Sequence, residues 1–170
     1  MISGKIVKLT MLFLVVAVLS ACNISEEQVQ QHASDSFEEK LNQEKKTTTY
    51  KTNDIELYIP SFTEVEVLDE YNLVLERENH LYLLFLNDLP YFESREQLLE
   101  EVMVESEPFI FKKLKTEEGH GAYLIVTEFD DEQYRVVVGY NGVKITTICT
   151  LAEMNSTAEL MYDIVQSVKK

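Results

Sequence analysis

The dipeptide Asn141-Gly142 lies between two runs of strand-forming residues, and it constrains this chain more than any other feature. A two-residue type I′ turn needs positive φ at both central positions, and Asn-Gly accepts this most readily. Residues 133–140 and 143–150 therefore read as an antiparallel hairpin. Val143, Ile145, Thr147 and Cys149 share one face of its second arm. Two further runs, 109–116 and 120–129, precede it, separated by turns at Gly119-His120-Gly121 and Asp130-Asp131-Glu132. Four successive strands joined by short turns make a meander.

Upstream, Ile55, Leu57 and Ile59 alternate with Glu56 and Tyr58 until Pro60 stops the run, which reads as a short strand. Residues 72–87 read as two strands with a turn near Glu78-Asn79. Ser94 and Gln97 have the spacing of a capping box, so a helix is expected from there to about residue 105, before Pro108 blocks it. Ser156 and Glu159 have the same spacing. Leu160, Met161, Ile164, Val165 and Val168 continue as the apolar stripe of a closing helix. The fold class is α+β: an antiparallel sheet of about six or seven strands with two helices packed on it, both expected on one sheet face.

The N-terminus is of another kind. Lys5 and Lys8 are the only charges before residue 22, and residues 9–19 are an apolar stretch of 11. A helix crossing a bilayer needs about 20 apolar residues. A short apolar run after a positive start, ending in small residues, reads as a secretory signal peptide. Its end, Leu19-Ser20-Ala21-Cys22, resembles the lipobox of bacterial lipoproteins. The resemblance implies a diacylglyceryl thioether on the Cys22 sulfur and cleavage between Ala21 and Cys22. The competing reading is an ordinary signal peptide with a chance cysteine. Residues 1–21 are thus expected to leave, and two acyl chains would anchor what remains firmly.

Residues 22–53 follow as the lipidated Cys22 and a stalk rich in Glu, Gln, Ser, Thr and Lys, without Gly or Pro. A flexible coil of 31 residues spans on the order of 30 Å. Val29, Ala33, Phe37 and Leu41 repeat every four residues, a helical spacing, but the stripe is narrow and its flanks polar. The preferred expectation is a solvated stalk, with a transient or partner-induced helix as the alternative. Residues 54–170 are the globular domain.

The order of elements in 54–170 resembles the Mog1/PsbP-like fold, through Ile55-Glu56-Leu57-Tyr58-Ile59-Pro60 opening the sheet and the helix closing the chain. In that family a Trp often follows the Pro; here Phe62 is the nearest aromatic and the chain has no Trp.

Composition narrows the function classes. The chain has 15 Lys+Arg against 30 Asp+Glu, a net charge of −15, and the domain carries 24 acidic and 9 basic residues. That balance argues against nucleic acid, whose phosphates need a basic face. No P-loop, G-x-G-x-x-G, G-x-S-x-G or H-E-x-x-H pattern occurs, and the two cysteines lack zinc spacing, so no cofactor or metal is implied. Cys149 reads as a buried inert thiol, with an intermolecular disulfide and a catalytic thiol as alternatives. His80 and His120 read as solvated turn residues. Asp130-Asp131-Glu132 reads as a solvated turn, with a weak cation site as the alternative. Paired acids such as Glu76 and Glu78 are the expected outer face of a half-buried sheet. Leu89-Pro90-Tyr91-Phe92, in a connection, either fills a core edge or forms a contact patch.

The expected function is a membrane-anchored extracytoplasmic lipoprotein on the outer face of the cell membrane. It would act as a non-catalytic binding or accessory module with an envelope protein partner. The alternatives are a small-ligand or metal-binding lipoprotein, and an enzyme whose site is assembled only by the fold.

Overall fold

A computed structural model describes residues 25–52, 54–86, 92–116 and 118–170. The expected signal segment, the lipobox-like Leu19-Ser20-Ala21-Cys22, and Leu89, Pro90 and Tyr91 lie outside the described residues. Within them the elements run α1 (Glu26–Lys40), β1 (Tyr50–Lys51), β2 (Glu56–Leu57), β3 (Glu64–Val67), β4 (Asn72–Arg77), β5 (His80–Phe85) and α2 (Arg95–Glu101). Then come β6 (Ile110–Lys115), β7 (Gly121–Asp130), β8 (Gln133–Tyr140), β9 (Val143–Thr150), a 3-10 turn (Leu151–Glu153) and α3 (Met154–Ser167).

Seven strands form one antiparallel sheet in the order β3-β4-β5-β9-β8-β7-β6. Two meanders, β3–β5 and β6–β9, meet where β5 pairs with β9. Asn141 and Gly142 both have positive φ, 46° and 86°, as the hairpin requires. Glu78 and Asn79 do the same at the β4–β5 turn, with φ of 51° and 65°. At the β7–β8 tip the register shifts between Glu128 and Asp130, so Phe129 is a bulged residue.

The residues 55–59 do not open this sheet. Only Glu56–Leu57 is strand there, and it pairs with β1 and with Lys169 near the C-terminus. Glu56 N–H donates to Lys169 O at 2.9 Å, and Lys169 N–H returns to Glu56 O at 2.8 Å. The separate two-stranded sheet thus fastens the segment before β3 to the tail of α3.

Among the described residues there are three helices, and they lie on both faces of the large sheet. α3 packs on β8 and β9. It buries Met154, Ala158, Met161, Tyr162, Ile164 and Val165, too wide an arc for one sheet surface. The remainder of that arc is covered by α1, and here the structure departs from the sequence reading of a stalk. Val29, Ala33 and Phe37 are buried, and Phe37 meets Tyr162 edge-on at 5.2 Å. Lys40 Nζ lies 2.9 Å from Asp163 Oδ1, and Gln30 Nε2 donates to Phe109 O at 2.9 Å. Residues 26–40 belong to the folded unit because three apolar side chains and a half-buried ion pair bind them to α3.

α3 begins at Met154, so Ser156 lies inside the helix and is not its cap. Thr150 N–H and Oγ1 donate to Glu153 Oε2 at 3.0 and 2.7 Å, while Ser156 Oγ turns back to Glu153 O. By contrast Ser94 caps α2 as expected, its Oγ accepting from Gln97 N–H at 3.1 Å.

α2 lies on the face opposite α3, for a topological reason. The chain leaves β5 in mid-sheet and must reach β6 at the far edge, so it crosses the face of β9, β8 and β7. Leu98 and Val102 press on Ile125 and Val137, with Phe92, Leu99, Val104 and Phe111 around them. Phe92, the one described member of the expected contact loop, thus fills a core edge. β7 and β8 are apolar on both faces because both are covered: Leu124, Ile125, Val126, Val136, Val137 and Val138 are all buried.

Candidate functional site

β5 has the same two-faced apolar sequence as β7 and β8, but only one of its faces is covered. Tyr82 and Leu84 are 5 % and 1 % exposed, in the main core. Leu81 and Leu83, between and beside them, are 56 % and 41 % exposed. Among the described residues α2 shelters β7 and β8 and leaves Leu81 and Leu83 of β5 exposed. What remains is a groove of about 720 Å³ on the open face, lined by Leu81, Leu83, Phe85, Met103, Val137 and Ile148. Filling it would remove about 1 kcal/mol worth of apolar surface from water for each half-exposed leucine.

The wall of the groove is the end of α2. Val104 N–H bonds to Leu99 O at 2.8 Å and Met103 N–H to Glu100 O at 3.0 Å, the paired bonds of a Schellman cap. This places Met103 in the left-handed region, φ 53°, where glycine is usual. Its side chain stands 77 % exposed at the groove's lip. Arg135 holds the wall in place, its guanidinium donating to Val102 O at 3.1 Å and Met103 O at 3.2 Å. Lys144 sits 3.6 Å from Glu101 Oε1 and over the Phe85 ring. Both cations that line the groove are therefore committed to protein groups.

One end of the groove is polar. His80 Nδ1 lies 3.2 Å from Ile148 O, and since a carbonyl only accepts, Nδ1 carries the proton. His80 Nε2 lies 3.4 Å from Glu153 Oε1. The hydrogen bonds from Thr150, with His80 adding less, hold the Glu153 carboxyl below the ordinary carboxylate range. His80 is thus fixed at the groove's end rather than free in a turn. Cys149 is on the opposite parity, buried, and accompanied by the Thr157 hydroxyl. Burial pushes its thiol up to about 11, the opposite of what a nucleophile needs.

On the outer side of the groove the open face turns acidic. Glu64 and Glu76 stand directly opposite each other across β3 and β4, and Glu66 opposes Val74. These three carboxylates make no ion pair among the described residues.

His120 lies elsewhere, its Nδ1 3.1 Å from Tyr140 Oη and 3.4 Å from Glu118 Oε2. Those two partners, Glu118 and Tyr140, line a smaller polar cavity of about 440 Å³ between the end of α1 and β6. Asp131 N–H donates to Asp130 Oδ1, so the acidic β7–β8 tip is a self-bonded turn. Among the described residues no three His, Cys, Asp or Glu are grouped to hold a metal, and no helix is long and apolar enough to cross a membrane.

Of the groove's residues the sequence singled out His80 and Cys149, but not the apolar floor of Leu81, Leu83 and Phe85. The available signal was that residues 80–85 are apolar on both parities, which marks a strand needing cover on two faces. In comparisons with known proteins, no family model, curated protein or solved structure matches the chain.

Proposed function

We propose that this chain is a lipid-anchored, extracytoplasmic, non-catalytic binding module of the cell envelope, and that the open face of its sheet receives the partner. The observation that carries the binding role is the uncovered second face of β5, an apolar strip kept exposed beside well-buried neighbours. The anchor rests on Leu19-Ser20-Ala21-Cys22. The arrangement of sheet and helices suits a Mog1/PsbP-like domain, and the lack of a Trp and the separate β1–β2 sheet are departures from it.

The helical α1 changes how such an anchor would act. Only Asn23 and Ile24 stand between Cys22 and Ser25, which caps α1. Three residue steps reach at most about 10 Å. The domain would ride at the bilayer surface, within about a Debye length of the lipid charges. With a net charge of −15 it would be better tolerated by neutral than by anionic lipid.

The test is crosslinking in living cells followed by capture of the full-length protein, beside a Leu81→Ser/Leu83→Ser variant. The expected result is one dominant protein partner that disappears in the variant. A partner that stays would move the contact away from the groove. In the same cells Cys22→Ser should release the protein from membranes once its signal segment is removed; continued membrane partitioning would refute the anchor. A second reading, a small apolar ligand, is favoured by the groove's volume, which falls in the usual range of ligand sites. It would appear as a ligand-dependent rise in melting temperature without any captured partner.

A further inference from the structure

We infer that the groove on the open sheet face takes a cationic amphipathic helical segment of a partner protein, an inference that rests on the binding reading above.

The floor fits the apolar side of a helix. Leu81, Leu83 and Phe85 recur every second residue along β5, so they span about 13 Å. Anchors at i, i+4 and i+7 of a helix span about 10 Å, which this strip accommodates. Ile148 extends the floor, and Met103 supplies a long, adaptable side chain at the lip, as apolar faces of varied shape require. The backbone of the floor is already paired in the sheet, because β5 lies between β4 and β9, so the occupant cannot add as a strand.

The charge around this floor selects the occupant's sign. The cations lining the groove, Arg135 and Lys144, are held by Val102, Met103, Glu101 and Phe85. Glu64, Glu66 and Glu76 beside it are exposed on the outer strands, and Glu64 and Glu76 oppose each other across the ladder. Like charges in that position weaken a sheet, and a lysine or arginine laid between them would turn repulsion into attraction. A second copy of this chain would bring the same carboxylates, and a net charge of −15, to its own repulsion. An anionic lipid surface would be repelled for the same reason. A basic helix with an apolar side meets both the floor and the rim.

The test uses the full chain in nanodiscs of zwitterionic lipid and two synthetic 18-residue helices sharing one leucine face. One carries lysines on its polar face, the other glutamates. The chain should bind the Leu/Lys helix at least tenfold more tightly than the Leu/Glu helix. Glu64→Gln/Glu66→Gln/Glu76→Gln should weaken the Leu/Lys complex at least tenfold, and Leu81→Asn/Leu83→Asn should do the same. Glu27→Gln/Glu39→Gln/Glu44→Gln removes equal charge from α1 and the segment after it, and should change it less than twofold. All these side chains are exposed, and unchanged melting curves establish that the variants are folded. If the substitutions at Glu27, Glu39 and Glu44 weaken binding as much as those on β3 and β4, the general negative field is responsible and the inference fails. If the Leu/Glu helix binds equally well, the inference fails while the apolar groove remains a binding site. If neither helix binds, the inference fails, and loss of the captured partner on Leu81→Ser/Leu83→Ser decides separately whether the binding reading stands.

Discussion

Met103 occupies a position that a helix end usually gives to glycine, and it does so at the edge of the groove rather than at an indifferent turn. A non-glycine residue in the left-handed region costs roughly 1–2 kcal/mol. Such strain is tolerated where the side chain has a use. Met103→Gly should therefore raise the unfolding free energy by about 1 kcal/mol in denaturant titration while weakening whatever binds the groove. A loss of stability would show that the methionine packs for the fold instead. Cys149 yields a prediction of opposite character. Its thiol is pushed up to about 11 by burial, so the folded chain keeps that proton where the unfolded chain loses it. Stability from this group is complete below the ordinary thiol value, near 9, and is lost as pH rises through about 11. Replacing Cys149 by Ala should flatten the fall in melting temperature between those pH values, and the wild-type thiol should resist alkylation at pH 8 until the chain is unfolded. Rapid alkylation of the folded chain would contradict the burial argument.

At the level of elements, α1 and β5 teach the same lesson in opposite directions. In α1 three apolar residues on a polar helix are buried, because α3 has a second apolar side that the sheet cannot cover. In β5 two leucines on a strongly apolar strand are exposed, because α2 packs on β7 and β8 instead. Neither outcome can be read from the element's own residues, since each depends on what lies opposite. Local signals did exist. Ser25-Glu26-Glu27-Gln28 is a capping box, and the structure has both its bonds, Ser25 Oγ to Gln28 N–H and Gln28 Oε1 to Ser25 N–H. The docking of α1 is measurable through Phe37, which lies against Tyr162. Phe37→Ala should lower the unfolding free energy by about 3–5 kcal/mol, the usual cost of removing a buried ring. A solvated stalk would tolerate the same change without effect.

Across the whole molecule the net charge of −15 acts against compactness, since like charges repel more strongly when the chain is folded. Salt shortens the reach of that repulsion, to about 3 Å at 1 M. The melting temperature should therefore rise between 0.02 and 0.5 M sodium chloride, by roughly 3 °C for each 1 kcal/mol of repulsion relieved. A fall would mean that ion pairs such as Lys40–Asp163 and Lys112–Glu38 outweigh the repulsion. Taken by itself, the sequence determined the elements whose shape is local. Asn141-Gly142 set its turn through its own φ preferences, Glu78-Asn79 marked another, Ser94 set the start of α2, and strand-forming runs between turns marked β4 to β9, though not β3. The tertiary structure alone decided that α2 and α3 lie on opposite faces, that α1 joins the core, and that one stretch of the sheet stays open as a groove. These are decisions about coverage. They depend on which surfaces meet after the chain has crossed from the middle of the sheet to its edge, and residue spacing along the chain carries no record of that crossing.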